Sequence, residues 1–223
     1  MKFFLDSAHV HEIEHALELW HIDGVTTNPR HVQVTGKPFL EVIRAIGALF
    51  EPYPEKTISV EINPHHDTWQ AMVEEGLRLA ALCPNFVIKV PSTEAGFKAC
   101  AALKAEGVRA NVTVCFSAVQ ALQAMRMGAA YISPFVGWKE SNAEETGGLV
   151  RDIVAIRDNF GFLTEVLVAA VRNARQIADA AVAGADIVTA GFAVYQDGFD
   201  HPYTHVGLEK FQNFWDQTPY GDL

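Results

Sequence analysis

A single (β/α)8 barrel is the fold this sequence predicts, and three observations predict it. Short apolar runs rich in β-favouring residues recur roughly every 20 to 35 residues, the length of a βα unit. The stretches between them carry a helical period. Polar side chains gather at the C-terminal ends of successive runs, where a closed barrel displays its working groups.

The predicted strands, in order, are 2–6 (KFFLD), 24–28 (GVTTN), 58–62 (ISVEI), 86–90 (FVIKV), 110–115 (ANVTVC), 131–135 (YISPF), 165–170 (EVLVAA) and 186–190 (DIVTA). After the first, Val10, Ile13, Leu17 and Trp20 follow the i, i+3, i+7 stripe of a helix leading off from Ser7. Ser117 and Gln120 form a capping box, Leu122 and Met125 continue that helix, and Gly128 stops it. Gly107 and Gly184 stop two more. No linker, low-complexity tract or composition shift divides the chain, so residues 1–223 read as one domain, with about 205–223 as a C-terminal helix and tail. Eight such units have two common solutions, an open doubly wound sheet and a closed barrel. A dinucleotide-binding open sheet would show GxGxxG after its first strand. Neither that motif nor a Walker loop is present, and the barrel is the expectation.

Composition narrows the function classes. A net charge of -10 and the lack of a basic run argue against a nucleic-acid partner. No apolar run approaches the roughly 18 residues of a membrane span. Asp6 cuts the N-terminal apolar stretch too short for a secretory signal. Cys83, Cys100 and Cys115 show no CxxC spacing and read as reduced core residues of a cytoplasmic protein. Asn111-Val112-Thr113 matches a glycosylation sequon, but its strand-like context makes it incidental.

The run FVIKVP places Lys89 in the middle of an otherwise apolar strand. One reading is an edge lysine whose stem packs while its head reaches water. The other is a pocket lysine. Burial disfavours the charged form of an amine, and a neutral amine attacks ketones to give a Schiff base. The other strand ends bear on the choice. Asp6 ends the first strand, Thr26, Thr27 and Asn28 the second, and Glu61 and Asn63 the third. Asn111 and Thr113 lie on the fifth, Ser133 on the sixth, and Arg172 follows the seventh. Each alone suits a cap or a barrel-end polar residue, but their shared placement favours a site.

That set permits carbon–carbon bond exchange through an imine. Lys89 attacks a ketone, and a water between Glu61 and Thr113 shuttles protons as the imine forms. Asp6 then removes the proton of the hydroxyl two carbons away, and the bond between breaks. Asn28, Asn111 and Ser133 are donors and acceptors for the substrate hydroxyls.

LDSA with Asp6, GVTTNP with Thr26 and Asn28, FVIKVP with Lys89, NVTVCFS with Asn111 and Thr113, and ISPFVG with Ser133 and Phe135 resemble the transaldolases. The likeness is to their short members and to the fructose 6-phosphate aldolases, and it covers nearly the whole chain. The resemblance implies a barrel, a Schiff-base Lys89, Asp6 as acid/base, sugar substrates and no metal or organic cofactor. It also implies a homo-oligomer, commonly a decamer, whose C-terminal helix, here VGLEKFQNFWDQ, reaches a neighbouring subunit. In the aldolases glutamine matches Glu61 and tyrosine matches Phe135, so this chain carries the transaldolase pair, which favours transfer of a dihydroxyacetone unit over its release.

The anion site departs from the family pattern. Trp138, followed by Lys139, stands where an arginine usually grips the substrate phosphate. Ala170 replaces a serine two residues before the remaining Arg172. An arginine pairs bidentately with a phosphate dianion, whereas an indole offers one neutral donor and a flat apolar face. A tail with less charge than phosphate suits such a site. GWKE and DGVTTNPRH, with Arg30 where serine is usual, are similar to transaldolases acting on 6-deoxy-6-sulfofructose in sulfoquinovose breakdown. The alternative is that Arg30 or Lys139 replaces the missing arginine and the substrate is fructose 6-phosphate.

Two other classes stay open. A metal-dependent aldolase would draw on Pro64-His65-His66-Asp67, although adjacent histidines rarely share one ion. A non-catalytic binding barrel would leave Lys89 unreactive. His201 and His205 read as loop or subunit-contact residues.

Overall fold

In a computed structural model, which describes residues 1–144 and 146–221, eight parallel strands close into a barrel in chain order. They are β1 (Lys2–Asp6), β2 (Gly24–Thr26), β3 (Thr57–Glu61), β4 (Phe86–Pro91), β5 (Ala110–Cys115), β6 (Tyr131–Pro134), β7 (Glu165–Val171) and β8 (Ile187–Ala190). Helices α1 (Val10–Leu19), α4 (Trp69–Ala80), α5 (Glu94–Ala105), α6 (Ala118–Arg126) and α9 (Ala174–Val182) each link two strands. Two links hold a pair: α2 (Pro29–Val34) with α3 (Phe39–Leu49), and α7 (Val136–Ser141) with α8 (Gly147–Phe160). After β8 come α10 (Phe192–Phe199) and α11 (Pro202–Trp215).

All eight expected strands form, and the differences at their ends have local causes. The second stops at Thr26 because Asn28 turns to cap α2, its Oδ1 accepting from the His31 amide at 3.0 Å ahead of Pro29. Phe135 opens α7 rather than closing β6. The capping box at Ser117 and Gln120 is formed, and Gly107, Gly128 and Gly184 sit at positive φ behind their helices. The C-terminal helix begins earlier than expected, because Pro202 takes its first turn behind His201. It ends at Trp215, and residues 222 and 223 of the expected tail lie outside the described residues. His205 is therefore on a helix rather than in a loop, paired with Asp200.

The strands alternate between two cores. One face packs on the helices through Leu5, Val25, Ile58, Ile88 and Val112. The other fills the lower lumen with Phe4, Val87, Tyr131, Leu167 and Ile187. Gly24 makes room for this filling. A Cβ there would lie 2.6 Å from the Phe4 ring and 2.6 Å from the Thr57 carbonyl oxygen. Tyr131 closes the layer with its hydroxyl 3.1 Å from Thr57 Oγ1 and its ring edge-on to Phe4.

Register breaks between Val112 and Cys115 in β5, and between Val168 and Val171 in β7. Val114 and Ala170 are the inserted residues, each at φ 57°. A β-branched residue is rarely found there, and such bulges commonly flank sites they re-aim. Burial pushes the Cys100 thiol up to about 12 and the Cys115 thiol up to about 11, and all three cysteines are free. No described helix is long and apolar enough to cross a membrane.

Candidate active site

Above the apolar lumen layer the inward side chains turn polar. Register sets Glu61 of β3 beside Lys89 of β4, and Lys89 beside Asn111 of β5. Lys89 is only 5% exposed. Its Nζ lies 3.0 Å from Glu61 Oε2 and donates to the Thr27 carbonyl at 3.0 Å. A buried amine without such partners would be strongly unfavourable. This is a pocket lysine, not an edge lysine.

Hydrogen bonds fix its neighbours. Ser133 Oγ donates to Asn111 Oδ1 at 2.7 Å, and Asn111 Nδ2 donates to Ser59 Oγ at 3.1 Å. Thr26 Oγ1 donates to Asp6 Oδ1 at 2.8 Å and lies 2.6 Å from Thr189 Oγ1. Asp6 Oδ2 meets His31 Nε2 at 3.2 Å. Burial pushes the Asp6 carboxyl up, but the His31 contact, the Lys89 charge and the Thr26 hydroxyl outweigh it and hold the carboxyl below its usual range. Thr113 Oγ1 is buried and has no hydrogen-bond partner among the described residues. A hydroxyl left so is available to a ligand or water.

Most of these groups line one cavity of about 600 Å³, an ordinary volume for a small-molecule site. Asp6, Thr26, Asn28, Arg30, Glu61, Lys89, Thr113, Ser133, Phe135, Trp138 and Arg172 all reach its wall. Asn111 stands behind the wall and braces Ser133. Lys139 does not reach it and pairs with Glu144. Asn63 instead builds a turn, its Oδ1 accepting from the His65 amide at 3.0 Å. His66 pairs with Glu75 at 2.9 Å.

At the mouth, Gly137 lets α7 press on the end of β7. A Cβ there would lie 2.2 Å from the Ala170 carbonyl and 2.9 Å from Arg172 Cγ. Arg172 donates through Nη1 to Ser141 Oγ of α7 at 2.7 Å. Trp138 remains 51% exposed, with its ring centroid 5.9 Å from Phe116 and 5.7 Å from Phe135. The mouth thus combines two guanidinium groups, Arg30 and Arg172, with an aromatic wall.

Sequence reasoning assigned no role to His31, Thr189, Ser59 or Phe116. Thr189 was the most findable, since DIVTA ends β8 as LDSA ends β1. His31 sits on a helix after the strand end, where neither strand alternation nor a long helical stripe marks it.

A closed parallel barrel whose strand ends bring a buried amine, carboxylates and hydroxyls to one cavity is built as a barrel enzyme. The model of the Transaldolase/Fructose-6-phosphate aldolase family matches residues 3–219, and the chain belongs to that family. Proteins of Priestia aryabhattai and Priestia megaterium, both named 6-deoxy-6-sulfo-D-fructose transaldolase, are each 53% identical to it over 218 residues. Those alignments cover 98% of this chain and 96% of the relative. Such relatives are transferases, and this chain is an enzyme of that class. A solved thiamine phosphate pyrophosphorylase from Pyrococcus furiosus superposes with TM-score 0.63 at 15% identity, over 88% of this chain and 89% of the other. That is a likeness of fold alone.

Proposed function

We propose that the chain is a class I transaldolase that moves a dihydroxyacetone unit from 6-deoxy-6-sulfofructose to an aldehyde such as glyceraldehyde 3-phosphate. The observation that carries the chemistry is Lys89, buried at the cavity with its Nζ against Glu61.

Glu61 is placed to take a proton from Nζ, and the freed amine adds to the ketose C2 carbonyl. Loss of water from the carbinolamine gives the iminium. Thr113 Oγ1, which has no hydrogen-bond partner among the described residues, stands ready to hold the water through which Glu61 exchanges protons. Asp6 then removes the C4 hydroxyl proton. The O–H electrons form the new aldehyde C=O, the C3–C4 bond breaks, and its electrons flow into the iminium to leave an enamine on Lys89. The three-carbon aldehyde leaves with the tail. The acceptor aldehyde repeats the steps in reverse, with Asp6 returning the proton to its oxygen. Asn28 offers its side-chain N–H donors to the substrate hydroxyls, its Oδ1 being committed to the helix cap, and Ser133, whose proton goes to Asn111, offers its Oγ as an acceptor.

The tail assignment rests on the mouth. Trp138 brings an indole N–H and a flat face, and Arg30 and Arg172 bring cations, one Nη of Arg172 being taken by Ser141. A sulfonate monoanion with three acceptor oxygens suits that set better than a phosphate dianion. The high identity to the two sulfofructose transaldolases supports the same choice. Fructose 6-phosphate is the second reading, favoured by the two arginines at the mouth. A turnover assay of the purified chain with each ketose and glyceraldehyde 3-phosphate separates them. Higher kcat/KM with sulfofructose is expected, and a preference for fructose 6-phosphate would reverse the tail assignment.

The same reading includes a homo-oligomer. Helix α11 buries none of its residues, and Val206, Leu208, Phe211, Phe214 and Trp215 are exposed. A second copy of the chain is the partner we expect on them, with light scattering as the check.

A further inference from the structure

Asp6 must be both ionised and aimed if it is to act as the base of the cleavage step, and burial works against the ionised form. Each carboxylate oxygen has its own partner. Oδ1 is fixed by Thr26, which leans in turn on Thr189. Oδ2 is met by His31 Nε2 at 3.2 Å. The imidazole is 25% exposed at its side chain and lines the same cavity. Its placement has a local cause. Pro29 starts α2, the Asn28 side chain caps the His31 amide, and the first turn swings residue 31 back over the end of β1.

We propose that His31 is a positioning residue of this reaction: by its contact with Oδ2 it holds Asp6 aimed and ionised for removal of the hydroxyl proton. The inference rests on the transaldolase reading and deepens it. Thr26 alone is a neutral donor. An imidazole that is protonated adds a charge to its hydrogen bond, which doubles the strength typical of a neutral one. The His31 contact comes first among the interactions that offset burial at Asp6, ahead of the Lys89 charge and the Thr26 hydroxyl.

The surrounding charges are few. Lys89 on β4, Glu61 on β3, Arg172 after β7 and Arg30 on α2 share the cavity with the pair. On α3, which packs on α2, Glu41 pairs with Lys37 at the surface, and Arg44 lines a separate hollow. A shift in the acid limb of the rate therefore reports on the Asp6–His31 contact when His31 alone is changed.

The test uses the full chain with His31→Leu and His31→Gln. The first removes the contact, and the second keeps a neutral donor. The readouts are kcat/KM against pH and the mass of the adduct that borohydride fixes on Lys89. For His31→Leu we expect the acid limb to move to higher pH, with a loss on the order of tenfold at its acidic end that shrinks toward neutral pH. The trapped adduct should shift from the three-carbon to the uncleaved six-carbon form, because imine formation proceeds and cleavage lags. His31→Gln should fall between the two. An unmoved limb with the three-carbon adduct retained in both variants would overturn the inference, as would a uniform loss at every pH. Failure of the transaldolase reading itself would look different, since the wild type would then form no adduct at all.

Discussion

The lower and upper halves of the lumen are built from the same strands, yet they do opposite things. On β1 Phe4 fills the floor and Asp6, two residues on, reaches the cavity. On β4 Val87 fills and Lys89 reaches. On β6 Tyr131 fills and Ser133 reaches. A period of two residues keeps each pair on the inward face. One turn of the pleat is all that separates packing from chemistry. The floor excludes water and fixes strand spacing, and that rigidity lets a 3.0 Å contact between Lys89 and Glu61 persist.

Mutations in the two halves should therefore fail in different ways. The largest effect belongs to Lys89→Met. Turnover should drop on the order of 10⁴-fold or more while circular dichroism and melting remain close to wild type. Normal turnover would remove the imine mechanism. Ile187→Ala, in the floor, should do the converse. It should cost about 2–5 kcal/mol in denaturant unfolding yet leave the Lys89 adduct trappable wherever the protein is folded. Loss of trapping in folded protein would show that the halves are not separable.

Smaller effects are expected at the mouth. Trp138→Arg adds a guanidinium fork, and about a tenfold rise in fructose 6-phosphate preference relative to sulfofructose would match it. A shift the other way would contradict the account of the tail. Smallest is the partition between transfer and release. Glu61→Gln combined with Phe135→Tyr should raise free dihydroxyacetone formed per turnover about severalfold, and unchanged partitioning would show that these two positions do not set it.

The fold was legible because its signals are periodic. Alternating strands such as FVIKV, the stripe from Val10 to Trp20 and the Ser117–Gln120 box each announce themselves in a few residues. Most cavity residues were legible for a related reason, since a barrel aims strand-end polar groups at one point. Three things were not. The bulges at Val114 and Ala170 place at positive φ two residue types that carry no such preference. Lys139 follows Trp138 in sequence, but one helical step of about 100° turns it from the cavity toward Glu144. His31 reaches Asp6 only because a proline-started helix folds back over a strand, a tertiary contact across 25 residues that no local pattern encodes.

The most direct test of the central claim is peptide mass spectrometry after borohydride treatment with 6-deoxy-6-sulfofructose and, separately, with fructose 6-phosphate, no acceptor being present. A reduced three-carbon adduct on the peptide containing Lys89, absent in Lys89→Met, is the predicted result. A folded protein that carries no adduct from either sugar, or carries it on another lysine, would contradict the claim that Lys89 is buried at this cavity to form an imine.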